Sequence, residues 1–409
     1  MVSGASTNTA ELVPFPVPSS ANKATAAVGY VAGFDGLRAF AICAVVAFHA
    51  RLLSFPGILY GVDIFNALSG FLITGILLKE FEKRGTISIR SFYLRRALRL
   101  YPALIAMLVV YLAYSYAFRK YPDRTLPQAL IGLLGMVNWS RALSWYGLRD
   151  LGHLWSLSIE LQFCVLWAPF CFLILRRWKT PEALAIACLG LFLIIQLHRY
   201  GLVSRWTMGR VSGRRLYDGT DLRLDVFALA AAARAVLAGR TAFASRVQEW
   251  IGRYGGVVLL SGVFLHVYLG WAFTFRQYIL SVVITNAVAL SCVMLVVGVN
   301  SAPQSFVVRI LGWAPIRTFG LISYGMYLWH YPLIQLFPWR VGVETRALGV
   351  FMLSIVCGTL SYQLIEKPLM RKKRETPPAR QPSAPSELIC STASRAQEGA
   401  SDIRPASNA

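Results

Sequence analysis

Apolar runs of 14 to 23 residues recur along the chain between residues 37 and 366, divided by short polar connections rich in arginine. A helix needs roughly 20 mostly apolar residues to cross the hydrocarbon core of a bilayer, and so the pattern predicts an all-α, polytopic transmembrane helix bundle. The candidate segments are 37–55, 61–78, 101–118, 127–140, 153–175, 182–198, 222–238, 254–274, 278–299, 316–338 and 344–366.

Basic residues orient these segments. The connection carrying Lys79, Lys83, Arg84, Arg90, Arg95, Arg96 and Arg99 is the most basic and is expected on the cytoplasmic side. Lys367, Arg371, Lys372, Lys373 and Arg374 place the far end on the same side, so the number of crossings is even. Segment 127–140 is the shortest at 14 residues, and dropping it leaves about ten transmembrane helices. One stretch resists this scheme: residues 199–221 fall outside yet carry Arg199, Arg205, Arg210, Arg214 and Arg215. Either a boundary is wrong there or the loop folds back.

Residues 1–32, with Pro14, Pro16 and Pro18 among small polar residues, lack the basic start and short apolar core of a cleavable signal. They read as a disordered cytoplasmic segment. Residues 371–409 are rich in Pro, Ser and Ala and read as a disordered cytoplasmic tail. The expected organisation is one transmembrane domain over 33–370, in the cell membrane, with both termini cytoplasmic.

Composition agrees with a lipid environment: 56% of residues are hydrophobic and 15% charged, against about 25% charged in soluble domains. The net charge of +22 is spread over loops and makes no continuous basic surface, which argues against nucleic acid. Lipid headgroups or the phosphates of a bound molecule are the expected partners. The seven cysteines show no close pairing, so neither a disulfide nor a metal site is expected.

An ionisable side chain in the middle of a membrane helix costs roughly 2.5–3.5 kcal/mol on insertion scales. Arg38 and His49 are separated by ten residues, which puts them within about 20° on one helical face and roughly 16 Å apart along it. An anion held at Arg38 could extend toward His49, and a buried imidazole can serve as a general base. In the bland alternative, Arg38 snorkels to headgroups and His49 bonds a neighbouring helix. Asp63, Asn66 and Gly70 share a face of the second segment; Asp63 either orients a histidine or caps the helix start. His153, Ser156 and Glu160 form a polar stripe within about a 60° arc, in which Glu160 either serves the site or pairs with an arginine to join two helices. Ser323, Tyr327 and His330 form a comparable stripe, for which packing is the default. Arg96 and Arg99 are spaced to grip phosphates with forked guanidinium groups, although topology alone would also explain arginines there.

Six stretches in order, FDGLRAFAICAVVAFHA, GVDIFNALSGFLIT, FYLRRALRLYP, HLWSLSIELQF, ISYGMYLWHYPL and LSYQLIEKP, together resemble the acyltransferase 3 family of membrane-bound O-acyltransferases over residues 33–369. The resemblance implies an acyl-CoA, most commonly acetyl-CoA, as co-substrate, with no permanently bound cofactor. It implies a carbohydrate or glycosylated acceptor such as an exopolysaccharide, a lipopolysaccharide or a glycosylated metabolite. It places the family's arginine, ten residues, histidine pattern on Arg38 and His49, and its arginine-rich loop on Arg95, Arg96 and Arg99. Asn66 and Cys164 stand where the family more often has aromatic residues, and Leu161 where it often has an acid.

These readings combine into one expectation. Arg38, Arg95, Arg96 and Arg99 hold the CoA phosphates; His49 is catalytic, assisted by Glu160 and Asp63; and His153, Ser156 and His330 bind the acceptor. His49 acts either as a base or as a covalent carrier of the acyl group. The rival class is a transporter or flippase, in which buried His, Arg and Glu would form an ion path.

Overall fold

A computed structural model describes residues 31–52, 60–118, 122–335 and 342–370. Of the expected disordered segments 1–32 and 371–409, residues 1–30 and all of 371–409 lie outside the described residues. Within those, the chain is helical and contains no strand. Its helices are α1 (Gly33–His49), α2 (Gly61–Arg84), α3 (Ile89–Phe118), α4 (Thr125–Leu133), α5 (Val137–Ala142), α6 (Trp155–Trp178), α7 (Pro181–Thr207) and α8 (Gly213–Asp218). There follow α9 (Thr220–Val236), α10 (Ala242–Ala272), α11 (Phe275–Leu280), α12 (Val282–Ser301), α13 (Phe306–Leu311), α14 (Ala314–Ile334) and α15 (Val343–Ser361), the last continued by a π turn over Tyr362–Glu366.

Local chemistry sets several boundaries. Thr180 accepts a hydrogen bond from the Ala183 amide, with Pro181 opening α7, a favoured helix start. Gly85 closes α2 in the left-handed region at φ 67°.

By length and composition, seven helical stretches suffice to cross a membrane: Gly61–Arg84, Ile89–Phe118, Gly152–Trp178, Pro181–Thr207, Ala242–Ala272, Val282–Ser301 and Val343–Met370. Three other expected spans fall on α1, α9 and α14. The first two have 17 residues each, and α14 is diluted by Gly, Tyr, His and Pro. All three are packed between other helices, α1 against α14 and α2, and α9 against α2 and α7. A helix surrounded by protein need not be apolar all round. Segment 127–140 breaks at Gly135 (φ 65°) into α4 and α5. At 1.5 Å per residue neither approaches the roughly 30 Å of a hydrocarbon core.

Close approaches hold the central helices in register. A Cβ at Gly320 on α14 would stand 1.9 Å from the Asp35 carbonyl oxygen on α1, and one at Gly70 on α2 would stand 2.4 Å from the Phe227 carbonyl oxygen on α9. Small residues at such crossings let backbones meet.

Candidate active site

A cavity of about 320 Å³ opens among α1, α2, α3, α6 and α14. Arg38, Arg96, Arg99 and Glu160 line it, together with Asn66, Ser69, Ser156, Ser323, Tyr324 and Tyr327. Asp35 receives a 2.7 Å hydrogen bond from Arg38 Nη1 and thereby fixes its direction. Arg96 and Arg99 have no ion pair among the described residues; Arg96 rests 5.7 Å from the Phe92 ring centroid. Two guanidinium groups are thus left facing a cavity without a carboxylate of their own, an arrangement suited to phosphate oxygens. The Asn66 Nδ2 is likewise buried without a hydrogen-bond partner. Glu160 accepts a 3.3 Å hydrogen bond from Ser69 Oγ.

At its other end the cavity reaches Val45, Ser156 and Tyr327, and a cluster of histidines stands directly behind them. His49 Nδ1 lies 2.9 Å from the Val45 carbonyl oxygen and 3.3 Å from His330 Nε2. His330 Nδ1 lies 2.7 Å from the Tyr327 carbonyl oxygen. His153 Nε2 lies 3.2 Å from the Leu328 carbonyl oxygen. The Tyr327 hydroxyl donates to the His153 carbonyl oxygen, while Ser156 Oγ is 2.9 Å from the same hydroxyl. Tyr331 stacks on His153 at 5.1 Å between centroids and meets His49 edge-on at 5.3 Å.

Carbonyls only accept, so these partners assign the tautomers. His330 is protonated on Nδ1, and its Nε2 is an acceptor. His49 therefore carries its proton on Nδ1, shared between the Val45 carbonyl and His330 Nε2. The lone pair of His49 is left on Nε2, where a general base needs it. His153 and His330 are fully buried, whereas His49 is only partly covered. The three histidines do not themselves line the cavity; they form the wall at its end.

Not every expected residue joins this arrangement. Asp63 turns away from His49 into a second network: its Oδ1 pairs with Arg223 at 2.8 Å, and its Oδ2 accepts from the Tyr278 hydroxyl at 3.1 Å. Both partners of that ion pair are about 98–99% buried, and an unpaired Arg223 there would be costly. Arg95 is held by Glu80 at 3.0 Å and does not line the cavity. Arg38, Arg96, Arg99, Glu160 and Ser156 do line it; His49, His153 and His330 gather behind it.

Residues 199–221 lie at the histidine end. Arg141 on α5 pairs through Nε with Asp218 at 3.0 Å and donates from Nη1 to the Gly152 carbonyl at 2.7 Å, one residue before His153. Two of the misfit arginines are neutralised locally: Arg199 by Asp225 at 2.5 Å and Arg215 by Asp221 at 2.6 Å. Nothing in the sequence marks Arg141, which follows a segment too short to cross. A lone arginine in the short stretch Asn138-Trp139-Ser140-Arg141 carries no distinctive spacing.

A family model described as an acyltransferase domain matches residues 31–362. The chain belongs to the acyltransferase 3 family. The match takes in every residue of the cavity and of the histidine wall. Among relatives, the chain is 32% identical to peptidoglycan O-acetyltransferase OatA of Listeria monocytogenes, over 84% of this chain and 56% of that protein. It is 30% identical to the putative peptidoglycan O-acetyltransferase YrhL of Bacillus subtilis, over 83% and 55%. It is 27% identical to O-acetyltransferase OatA of Staphylococcus aureus, over 84% and 58%. The chain therefore spans little more than half the length of these relatives. No solved structure matches it.

Proposed function

We propose that the protein is a membrane O-acyltransferase that moves an acetyl group from acetyl-CoA to a hydroxyl of a carbohydrate acceptor. The observation that carries this reading is a cavity that begins at Arg38, Arg96 and Arg99 and ends at the wall formed by His49 and His330. The names of the relatives support an acetyl group and a glycan acceptor.

In this reading Arg96 and Arg99 grip CoA phosphates from the cytoplasmic side, with Arg38 held in place by Asp35. The thioester extends toward Val45 and Tyr327. His49 Nε2 takes the proton of the acceptor hydroxyl as its oxygen bonds to the acyl carbon. The carbon–sulfur bond then breaks, and the imidazolium returns the proton to the CoA thiolate. Glu160 balances the positive charge of the arginines and of the transient imidazolium.

Release of free CoA from acetyl-CoA by the purified protein tests this. Wild type is expected to turn over in the presence of an acceptor. His49→Ala is expected to lose about 100-fold to 10,000-fold in rate, the usual worth of a general base, while still binding acetyl-CoA. Arg96→Ala with Arg99→Ala is expected to lose binding. Acetyl-CoA binding and turnover unaffected by both variants would sink the reading.

A further inference from the structure

The histidine end of the bundle carries a cation that is built in, yet is left partly unused by its protein partners. Arg141 has five N–H donors, of which Nε bonds Asp218 and Nη1 bonds the Gly152 carbonyl. Its Nη2 has no hydrogen bond among the described residues. The Arg141 side chain is 27% exposed, whereas Asp218 is completely buried. The guanidinium also lies 5.7 Å from the Trp155 ring centroid. Its orientation is therefore fixed from three directions, and three of its five N–H donors, one on Nη1 and two on Nη2, have no hydrogen bond among the described residues. Through the Gly152 carbonyl the guanidinium adjoins His153, whose ring lies 5.3 Å from that of His330 between centroids, and His330 in turn lies 5.1 Å from His49.

A network of amides anchors the short helix that presents it. Asn138 Nδ2 donates to the Asp218 carbonyl at 3.1 Å and to Thr220 Oγ1 at 2.8 Å, while Gln162 Nε2 donates to Asn138 Oδ1 at 2.9 Å. This gives the segment too short to cross the membrane a purpose, namely to bring Arg141 to the histidines. Backbone of this kind at membrane depth is tolerated where it is buried in protein or lines a water-filled cavity.

A second observation points the same way. Arg205 near the end of α7, Arg210 in the connection that follows and Arg214 on α8 are exposed and have no ion pair among the described residues. In contrast, Asp218, Asp221 and Asp225 in the same region are each already bound to an arginine. Unpaired arginines at this end run against the distribution that places basic residues in the cytoplasm. They give the approach to His49 a positive field that steers anions.

We infer that the acceptor is an anionic glycan, and that the unbonded N–H donors of Arg141 grip its carboxylate or phosphate oxygens beside the hydroxyl presented to His49. A planar fork with free donors on both Nη atoms matches either oxyanion. The inference rests on the acyltransferase reading for the identity of His49 as the base, but the anion site itself is tested by binding alone.

The test uses the full chain reconstituted in lipid nanodiscs and three matched disaccharides: one neutral, one bearing a uronic carboxylate and one bearing a phosphate monoester. Binding of each and acetyl transfer to each are measured, with acetyl-CoA binding as the control for folding. We expect an anionic disaccharide to bind at least tenfold more tightly than the neutral one, and the preferred anion to tell carboxylate from phosphate. Arg141→Gln is expected to erase that preference while leaving acetyl-CoA binding intact. Arg141→Lys, which keeps the charge toward Asp218 but loses the fork, is expected to keep only part of it and serves if the glutamine variant fails to fold. Neutralising Arg205, Arg210 and Arg214 together is expected to slow association at low salt and to flatten its salt dependence. Equal binding of neutral and anionic disaccharides, or a preference that survives Arg141→Gln, would overturn the inference while leaving the acyltransferase reading intact. Anion preference without any acetyl transfer would overturn that reading and leave the anion site standing.

Discussion

His49 owes its usefulness to the atoms that hold its other nitrogen. The Val45 carbonyl and His330 Nε2 both draw on the Nδ1 proton, so the base is oriented before any substrate arrives. His330→Leu removes one of these acceptors. We expect it to reduce kcat by less than the roughly 100-fold minimum that a missing general base would cost, with KM for the donor unchanged. His330→Gln, whose side-chain oxygen can accept in place of Nε2, should restore most of the rate, and equal loss in both variants would show that the ring matters only for packing. Asp63 poses the opposite case. Because it pairs with buried Arg223, Asp63→Asn should lower stability by about 3–5 kcal/mol, the usual cost of stranding one member of a buried pair. Replacing both residues with apolar ones should recover much of that loss in a thermal unfolding series; a single variant as stable as wild type would place the charge pair elsewhere. The sequence exposes Arg38, His49 and Glu160 as expensive residues in apolar runs, and that cost was enough to single them out. It does not say what each one faces. Asp63 and Glu160 look alike along the chain, and only the fold sends Asp63 on α2 to Arg223 on α9 and Tyr278 on α11.

At the scale of elements, the crossing of α1 and α14 sets the geometry of the site, since α1 carries Arg38 and His49 and α14 carries Tyr327 and His330. Gly320 sits at that crossing against the Asp35 carbonyl. Gly320→Val has no room and should push the two helices apart, costing about 1–3 kcal/mol in thermal stability as overpacking commonly does. It should also weaken acetyl-CoA binding, because Asp35 holds Arg38. A variant with unchanged stability and binding would mean that the crossing has slack. Helix periodicity cannot reveal such a contact, for a glycine in an apolar run reads the same whether it faces lipid or a neighbouring backbone. The short pair α4 and α5 was legible only as a failed span, and its use in placing Arg141 required knowing where residue 218 returns. The misfit of residues 199–221 was legible as a misfit; ion pairs with Asp221 and Asp225 explain how two of its arginines are accommodated away from the basic end.

Across the whole molecule, charge and chemistry are sorted along the bundle. Arg96 and Arg99 sit in the cavity below, and the histidines close it above, with no second domain among the described residues to do the chemistry. Membership of the acyltransferase 3 family was visible from six ordered motifs, since their order is a property of the entire chain. We propose that donor and acceptor reach the site from opposite faces of the membrane, acetyl-CoA at Arg96 and Arg99 and the glycan at the histidine end. The most direct test places protein of one orientation in sealed liposomes, supplies labelled acetyl-CoA on the side of Arg96 and Arg99, and traps a membrane-impermeant glycan acceptor on one side at a time. Label is expected on the glycan only when the glycan is on the side opposite to acetyl-CoA. Label appearing only when both substrates share a side would contradict it.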